Sequence, residues 1–344
     1  MIDNVEINNF RGIQHGKIDG LSRVNLFFGK NNCGKSSLLE AIFLVCGQSN
    51  PLLPASINAM RAYTNLTEDD IHCFFYQMDS SRKIQIAING SQERRLAINC
   101  FRETTSMGAD NVSTEISYHY GLRMEYDTRD GEYSSEVLYD VGGANMVGQK
   151  PQVDSRYTEK LKCVYLSPRY DSAASVEGLQ NIIMNKDEDF LVEALQVLEP
   201  GANNPVFMDN MMFVDVGLPQ RIPINLMGDG VRKIVSFLTS IYQCKGGVLL
   251  IDELSNGFHY SVMKPMWEVV IRAAIRNDVQ VFATTHDVDS IKGLQEAAQN
   301  VKSVDGAEVA SGYKLQKVTG DELKSYRYSV GQLGYAIEQE LEIR

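Results

Sequence analysis

Apolar and polar side chains alternate through the first 28 residues, as in Val5-Glu6-Ile7-Asn8, the period of strands with one buried face. Short antiparallel strands are predicted there, leading into the apolar run Val24-Asn25-Leu26-Phe27-Phe28. Ser37 to Leu44 reads as a helix, and Pro51 and Pro54 break the pattern after it. Strand-like alternation dominates from about Ile71 to Leu166, for example Lys83 to Ile88, Arg95 to Ile98 and Ile116 to Tyr120. Turn signals at Asn89-Gly90 and Asp130-Gly131 separate these runs, so a β-meander forming one lobe is expected. Its tyrosines 118, 120, 126, 133 and 139 fit strand packing, with stacking on nucleic-acid bases the alternative. Helical character returns at Asp187 to Leu195, with an acidic start, and Pro200-Gly201 closes it. Gly247 to Ile251 and Val279 to Ala283 are short continuous apolar runs, the mark of strands buried on both faces.

Composition adds little to this pattern. A chain of 344 residues, 44% hydrophobic and 22% charged, suits a globular protein with a large core. The net charge of −11 argues against a surface coated for non-specific DNA binding, though not against a local basic groove. Six cysteines lack Cys-x-x-Cys pairs and histidines at zinc spacing, so free thiols in a reducing compartment are expected. Neither a signal-peptide pattern nor an apolar run approaching about 18 residues is present, so a cytoplasmic location is expected.

Candidate chemistry sits where strand gives way to helix. Gly29-Lys30-Asn31-Asn32-Cys33-Gly34-Lys35-Ser36 is a complete Gly-x-x-x-x-Gly-Lys-Ser phosphate-binding loop between the run ending at Phe28 and the helix opening with Ser37. Glycines let backbone N–H groups turn toward a phosphate, and the helix N-terminus adds partial positive charge. Lys35 would reach the β- and γ-phosphates of ATP, and Ser36 would ligate Mg²⁺. The strand Gly247 to Ile251 ends in Asp252-Glu253, which places Asp252 toward Mg²⁺ and Glu253 toward the attacking water. A buried strand that merely ends in acids is the plainer reading. Thirty-four residues after Asp252, the second strand ends in Thr284-Thr285-His286, where a histidine could sense the γ-phosphate. Met227-Gly228-Asp229-Gly230 opens another apolar helix. It forms a second anion site, which a head-to-tail dimer would use on its partner's γ-phosphate, or a simple helix start.

In this order the motifs resemble the ABC-type ATPase heads of the SMC/RecF group, most closely the ATPase half of the OLD (overcoming lysogenization defect) family and its stand-alone relatives. Asn9-Phe10-Arg11-Gly12-Ile13 looks like the family's N-terminal strand and turn, and Arg11 joins residues 29–37 as nucleotide-binding. Gly29 to Ser36 then corresponds to Walker A, Met227 to Gly230 to the signature, and Asp252-Glu253 to Walker B. Asn256 and His259 fall on the D-loop, and His286 on the switch histidine. The resemblance implies an α/β fold: one ABC-type P-loop ATPase head spanning residues 1–344. Residues 1–50 would carry the first strands, Walker A and first helix, 51–170 a β-rich lobe and 171–225 a helical insert. Residues 226–344 would carry the remaining motifs, with a helical lobe presenting the signature.

Met227 stands where the family often has serine, and His259 where many D-loops have aspartate, so slow or partner-stimulated hydrolysis is expected. Gln77 and Gln180 are the candidates for a Q-loop glutamine. Asp287-Val288-Asp289 spells the Asp-x-Asp of a Toprim nuclease but should begin and cap a helix instead, so no nuclease is expected in this chain. The resemblance thus implies a Mg²⁺-dependent ATPase whose nucleotide-driven homodimerisation controls a separate effector, a nuclease or toxin, in prokaryotic anti-phage defence. A RecF-like repair or recombination ATPase that binds DNA directly is the alternative.

Overall fold

The computed structural model describes residues 1–61, 68–107, 115–139, 150–168, 175–209, 211–299, 301 and 308–339. Along the chain run β1 (Ile2–Phe10), β2 (Ile13–Asp19), β3 (Val24–Phe28), α1 (Lys35–Cys46), α2 (Leu53–Met60), α3 (Glu68–His72), β4 (Ile84–Gly90) and β5 (Arg94–Met107). There follow β6 (Glu115–Thr128), β7 (Gly131–Tyr139), β8 (Lys150–Gln152), β9 (Cys163–Leu166), α4 (Val176–Met184), α5 (Glu188–Gln196), β10 (Asn203–Met208), β11 (Met211–Asp215) and β12 (Ile222–Pro223). The chain continues through α6 (Asp229–Gln243), β13 (Val248–Ile251), α7 (Met263–Arg276), β14 (Gln280–Thr284), α8 (Val288–Gln299), β15 (Ala310–Val318), β16 (Glu322–Tyr328) and α9 (Val330–Glu338). They fall into two compact units, one of Met1–Gly20, Ser36–Lys160 and Gln316–Lys324, the other of Leu21–Lys35, Leu161–Leu315 and Ser325–Arg344.

The first unit holds the expected meander. Strand order is β8-β7-β6-β5-β4-β1-β2, antiparallel at every step, and the start of β16 pairs parallel to β2. In β4, Ile84, Ile86 and Ile88 are buried while Gln85 lies open, as the period of two requires. Asp130-Gly131 makes the β6–β7 hairpin, where Thr128 pairs with Gly131. Tyr126 and Tyr139 are buried packing residues, and Tyr126 lies against the rings of Tyr133 and Tyr157. Burial pushes the Tyr126 phenol up to about 12. The side chain of Tyr118 lies outside the described residues. Arg94, also buried, donates to both Glu159 oxygens at 2.7 and 2.9 Å and to the Cys46 carbonyl at 3.1 Å.

The second unit holds a sheet of order β15-β3-β14-β13-β9, parallel throughout. β3, β13 and β14 are buried at every residue, as expected of strands with both faces covered. The apolar faces of α6, α7 and α8 supply Ile234, Leu238, Trp267, Val270 and Leu294 to this core.

Two stretches differ from the sequence expectation. β9 pairs with β13 and so belongs to the parallel sheet, not the meander, because its buried Tyr165 and Leu166 continue that core. Within 171–225, α4 and α5 are followed by a small antiparallel sheet, β10-β11-β12, where only helix was expected. The runs Val206-Phe207-Met208 and Met211-Met212-Phe213-Val214 are too short for helices and pair instead. Among the described residues no helix is long and apolar enough to cross a membrane.

Candidate nucleotide site

Parallel sheets gather ligands beyond the carboxyl ends of their strands, and β3, β14 and β13 are neighbours in that order. β3 runs into the loop at Gly29, whose φ of 145° lies outside the range of most side chains. A Cβ there would stand 2.4 Å from the Leu315 carbonyl oxygen, so a side chain is excluded by space as well. Asn32 and Gly34 also take positive φ, 63° and 101°. The curled loop closes on Lys35, which is 7% exposed. Its Nζ donates to the carbonyls of Gly29 at 2.9 Å and Lys30 at 3.1 Å. Lys30, Asn31 and Asn32 are exposed, while Ser36 and Ser37 are half-buried in the first turn of α1. Cys33 is buried, and that burial pushes its thiol up against the opposing pull of the Lys35 charge. It fills space beside the loop.

At the end of β13 the side chains are fixed by Thr284 on β14. Its hydroxyl accepts the Glu253 N–H at 2.9 Å and donates to Asp252 Oδ1 at 2.5 Å. Tyr165 on β9 donates to Asp252 Oδ2 at 3.4 Å. Asp252 is buried. The Thr284 and Tyr165 hydroxyls hold this carboxylate at the strand end, and a carboxylate is the oxygen donor that a divalent metal ion takes. Glu253 sits at φ 56° and half-buried, with Oε2 2.9 Å from Nδ1 of His286. A left-handed glutamate just past a buried strand is the kind of constrained backbone that accompanies function.

The other expected residues are placed as follows. Met227 and Gly228 precede α6, with Gly228 exposed at its N-cap, while Asp229 pairs with Arg232 instead of capping the helix. Gly230 lies in the first turn. Asn256 and His259 are exposed on the loop after Glu253, and His259 Nδ1 contacts the Ser261 hydroxyl at 2.9 Å. Arg11 lies in the first unit with its three nitrogens already engaged. Nε stands 2.6 Å from Glu40 Oε2, Nη2 donates to Asn58 at 3.1 Å, and Nη1 contacts Cys73 at 3.9 Å. Gln77, at φ 55°, bonds the Tyr76 hydroxyl, and Gln180 is exposed on α4. Asp287 accepts the Asp289 N–H at 3.0 Å at the head of α8, the capping role expected of it. Thr284 and Tyr165 were missed as site residues. A threonine ending an apolar strand one residue before Thr285-His286 was the available signal for the first; Tyr165 gave none.

The family model that matches describes an AAA domain, putative AbiEii toxin, Type IV TA system, and covers residues 24–291. The chain belongs to this family. It is an ATPase-type AAA domain in which the matched span contains both strand ends described above. An ATP/GTP phosphatase of Helicobacter pylori is 25% identical over 328 residues, 86% of this chain and 88% of its own length. An uncharacterised protein of Methanocaldococcus jannaschii is 22% identical over 191 residues, 53% of this chain and 84% of that protein. Among solved structures, an Smc head from Pyrococcus furiosus bound to the C-terminal domain of ScpA matches 98% of this chain and 99% of its own, at 10% identity and a TM-score of 0.49. The SMC head domain of Thermotoga maritima matches at 11% identity and a TM-score of 0.44, covering 95% and 99%.

Proposed function

We propose that this protein is a Mg²⁺-dependent ATP hydrolase, a nucleotide-driven dimerisation switch that controls a separate effector. The carrying observation is the arrangement at the strand ends: a buried Lys35 inside its loop, and Asp252 and Glu253 locked by Thr284, with His286 on Glu253. Lys35 would neutralise phosphate charge, and Ser36 and Asp252 are the residues that would hold a metal ion, which when bound offsets the charge of the β- and γ-phosphates. Glu253 orients the attacking water, and His286 fixes the Glu253 carboxylate and reports on the γ-phosphate. Hydrolysis accords with the name of the Helicobacter pylori relative.

The dimer reading draws on α6. Gly228 is exposed at its N-cap and Leu226 is 76% exposed just before it, an N-terminus open to a second copy's phosphate. The family's description, a putative AbiEii toxin of a Type IV TA system, supports a toxin–antitoxin setting; the reading proposed adds a separate nuclease or toxin partner and a cytoplasmic role in prokaryotic anti-phage defence.

Mixing defective subunits tests the composite site. A Cβ on Gly228 meets no atom within 4 Å, so Gly228→Glu preserves the fold while setting a carboxylate against the partner's phosphate. Mixed with Lys35→Ala, it leaves one sound site in each heterodimer, and up to about half of a dimer's activity is expected to return. No recovery after verified subunit exchange would count against the head-to-tail arrangement. Purification of the native assembly with and without ATP is expected to bring an effector with it. Tight binding of duplex DNA by the isolated chain at physiological salt would favour the RecF-like role instead.

A further inference from the structure

The first turn of α6 rests on the loop that follows Glu253. A Cβ on Gly230 would stand 3.4 Å from Cδ1 of Phe258 and 3.6 Å from the Gly257 carbonyl oxygen, so helix and loop meet almost backbone to backbone. One turn further along α6, Lys233 Nζ donates to the carbonyl oxygen of Asn256. The Asn256 N–H in turn donates to the Glu253 carbonyl at 3.1 Å. Lys233 therefore sits two hydrogen bonds from the backbone of the residue assigned to orient the attacking water. It also lines a small cavity, about 40 Å³, together with Asp252 and Glu253.

A surface lysine that caps a loop carbonyl would be the simplest account of one such bond. Two features separate this lysine from that case. The ammonium is drawn out of water far enough that burial lowers its pKa from the ordinary lysine range, with the Asp229 charge opposing and Arg232 adding to the fall. Its acceptor lies in a segment that begins with a glutamate at positive φ and contains Gly257 at φ 79°, a backbone path that needs outside support to persist.

We propose that Lys233 is a positioning residue for hydrolysis, tying the N-terminal turn of α6 to residues 253–257 so that a displacement of α6 is passed to Glu253. The proposal rests on the ATPase reading above and deepens it. When a nucleotide or a second subunit engages the α6 N-terminus, Lys233 carries that engagement to the catalytic loop of its own chain. Binding of ATP depends on the loop at 29–36 and does not require Lys233.

Steady-state ATP hydrolysis by the full chain, with ATP binding by calorimetry and a thermal melt, tests this on Lys233→Met and Lys233→Arg. Methionine keeps the apolar stem and removes the donors; arginine keeps a cationic donor. For Lys233→Met, kcat is expected to fall about tenfold with KM for ATP and the melting midpoint unchanged, since a misplaced reacting group costs rate more than binding. Lys233→Arg is expected to restore most of that loss. Wild-type kcat in Lys233→Met overturns the proposal. So does a fall shared equally by both variants and accompanied by a lower melting midpoint, the pattern of a purely structural residue. Absence of hydrolysis in the wild-type chain overturns the ATPase reading as well, whereas robust wild-type hydrolysis with an unaffected Lys233→Met overturns this proposal alone.

Discussion

β4 in the first unit alternates buried and open residues, whereas β3, β13 and β14 in the second are buried at every position. An antiparallel meander satisfies its edges through hairpins and keeps a polar face, so its chemistry is spread along its strands. A parallel sheet hides both faces and brings its polar residues out only at strand ends. There Asp252, Glu253, Thr284 and His286 converge. The contrast extends to stabilisation. The second unit leans on apolar burial around Trp267, whose Nε1 also donates to the Ser290 carbonyl at 3.0 Å. The first unit includes the pair of buried Arg94 with half-buried Glu159, which joins chain positions 65 residues apart.

These differences can be broken one at a time. Trp267→Ala is expected to have the largest effect, a loss of about 3–5 kcal/mol from the removed burial and the cavity left behind. Denaturant unfolding measures it, and a loss below 1 kcal/mol would show that the second unit does not depend on this side chain. Arg94→Met is expected to cost about 3 kcal/mol, because Glu159 loses both guanidinium hydrogen bonds while remaining mostly out of water, although the Tyr157 hydroxyl still reaches it at 3.3 Å. The same measurement applies, and a neutral result would mean that the pair contributes nothing net to the meander.

A subtler contrast lies in the cysteines. Burial pushes the Cys244 thiol up to about 12 from 9.0, while Cys100 in the meander is half-buried. The neutral Cys244 thiol therefore supports the fold fully below pH 9, and that support is lost as pH rises from about 9 to 12. Iodoacetamide at mildly alkaline pH is expected to label Cys100 well before Cys244, which should react only when the second unit opens. Equal labelling rates in the native protein would contradict the difference in burial.

The phosphate loop, the acidic strand end and the histidine strand end were readable because each is a local pattern: glycines and a lysine, or an apolar run that stops in polar residues. The meander was readable for the same reason, from its alternation and its Asp130-Gly131 turn. Contacts across long stretches of sequence left no such trace. Nothing near Thr284 says that its hydroxyl will join Asp252 to the Glu253 N–H from 31 and 32 residues away. Arg11 carries a charge that suited phosphate, and only the fold brings the buried Glu40 to it. β9 reads like one more meander strand because a buried parallel strand and a half-buried antiparallel one look alike over four residues. Lys233 sat in plain view beside the signature turn, but its acceptor is a backbone carbonyl, to which side-chain identity gives no clue.

The central claim is that Glu253 acts on the water that attacks ATP within a nucleotide-driven dimer. Glu253→Gln keeps the side-chain shape and removes the carboxylate. ATP turnover and the molar mass in solution with ATP, measured together on wild type and this variant, test the claim most directly. The expected result is intact ATP binding, hydrolysis lower by roughly 10²-fold or more, and a variant that stays dimeric while ATP is present. Hydrolysis by Glu253→Gln at the wild-type rate, or a mass that remains monomeric with ATP bound, would contradict it.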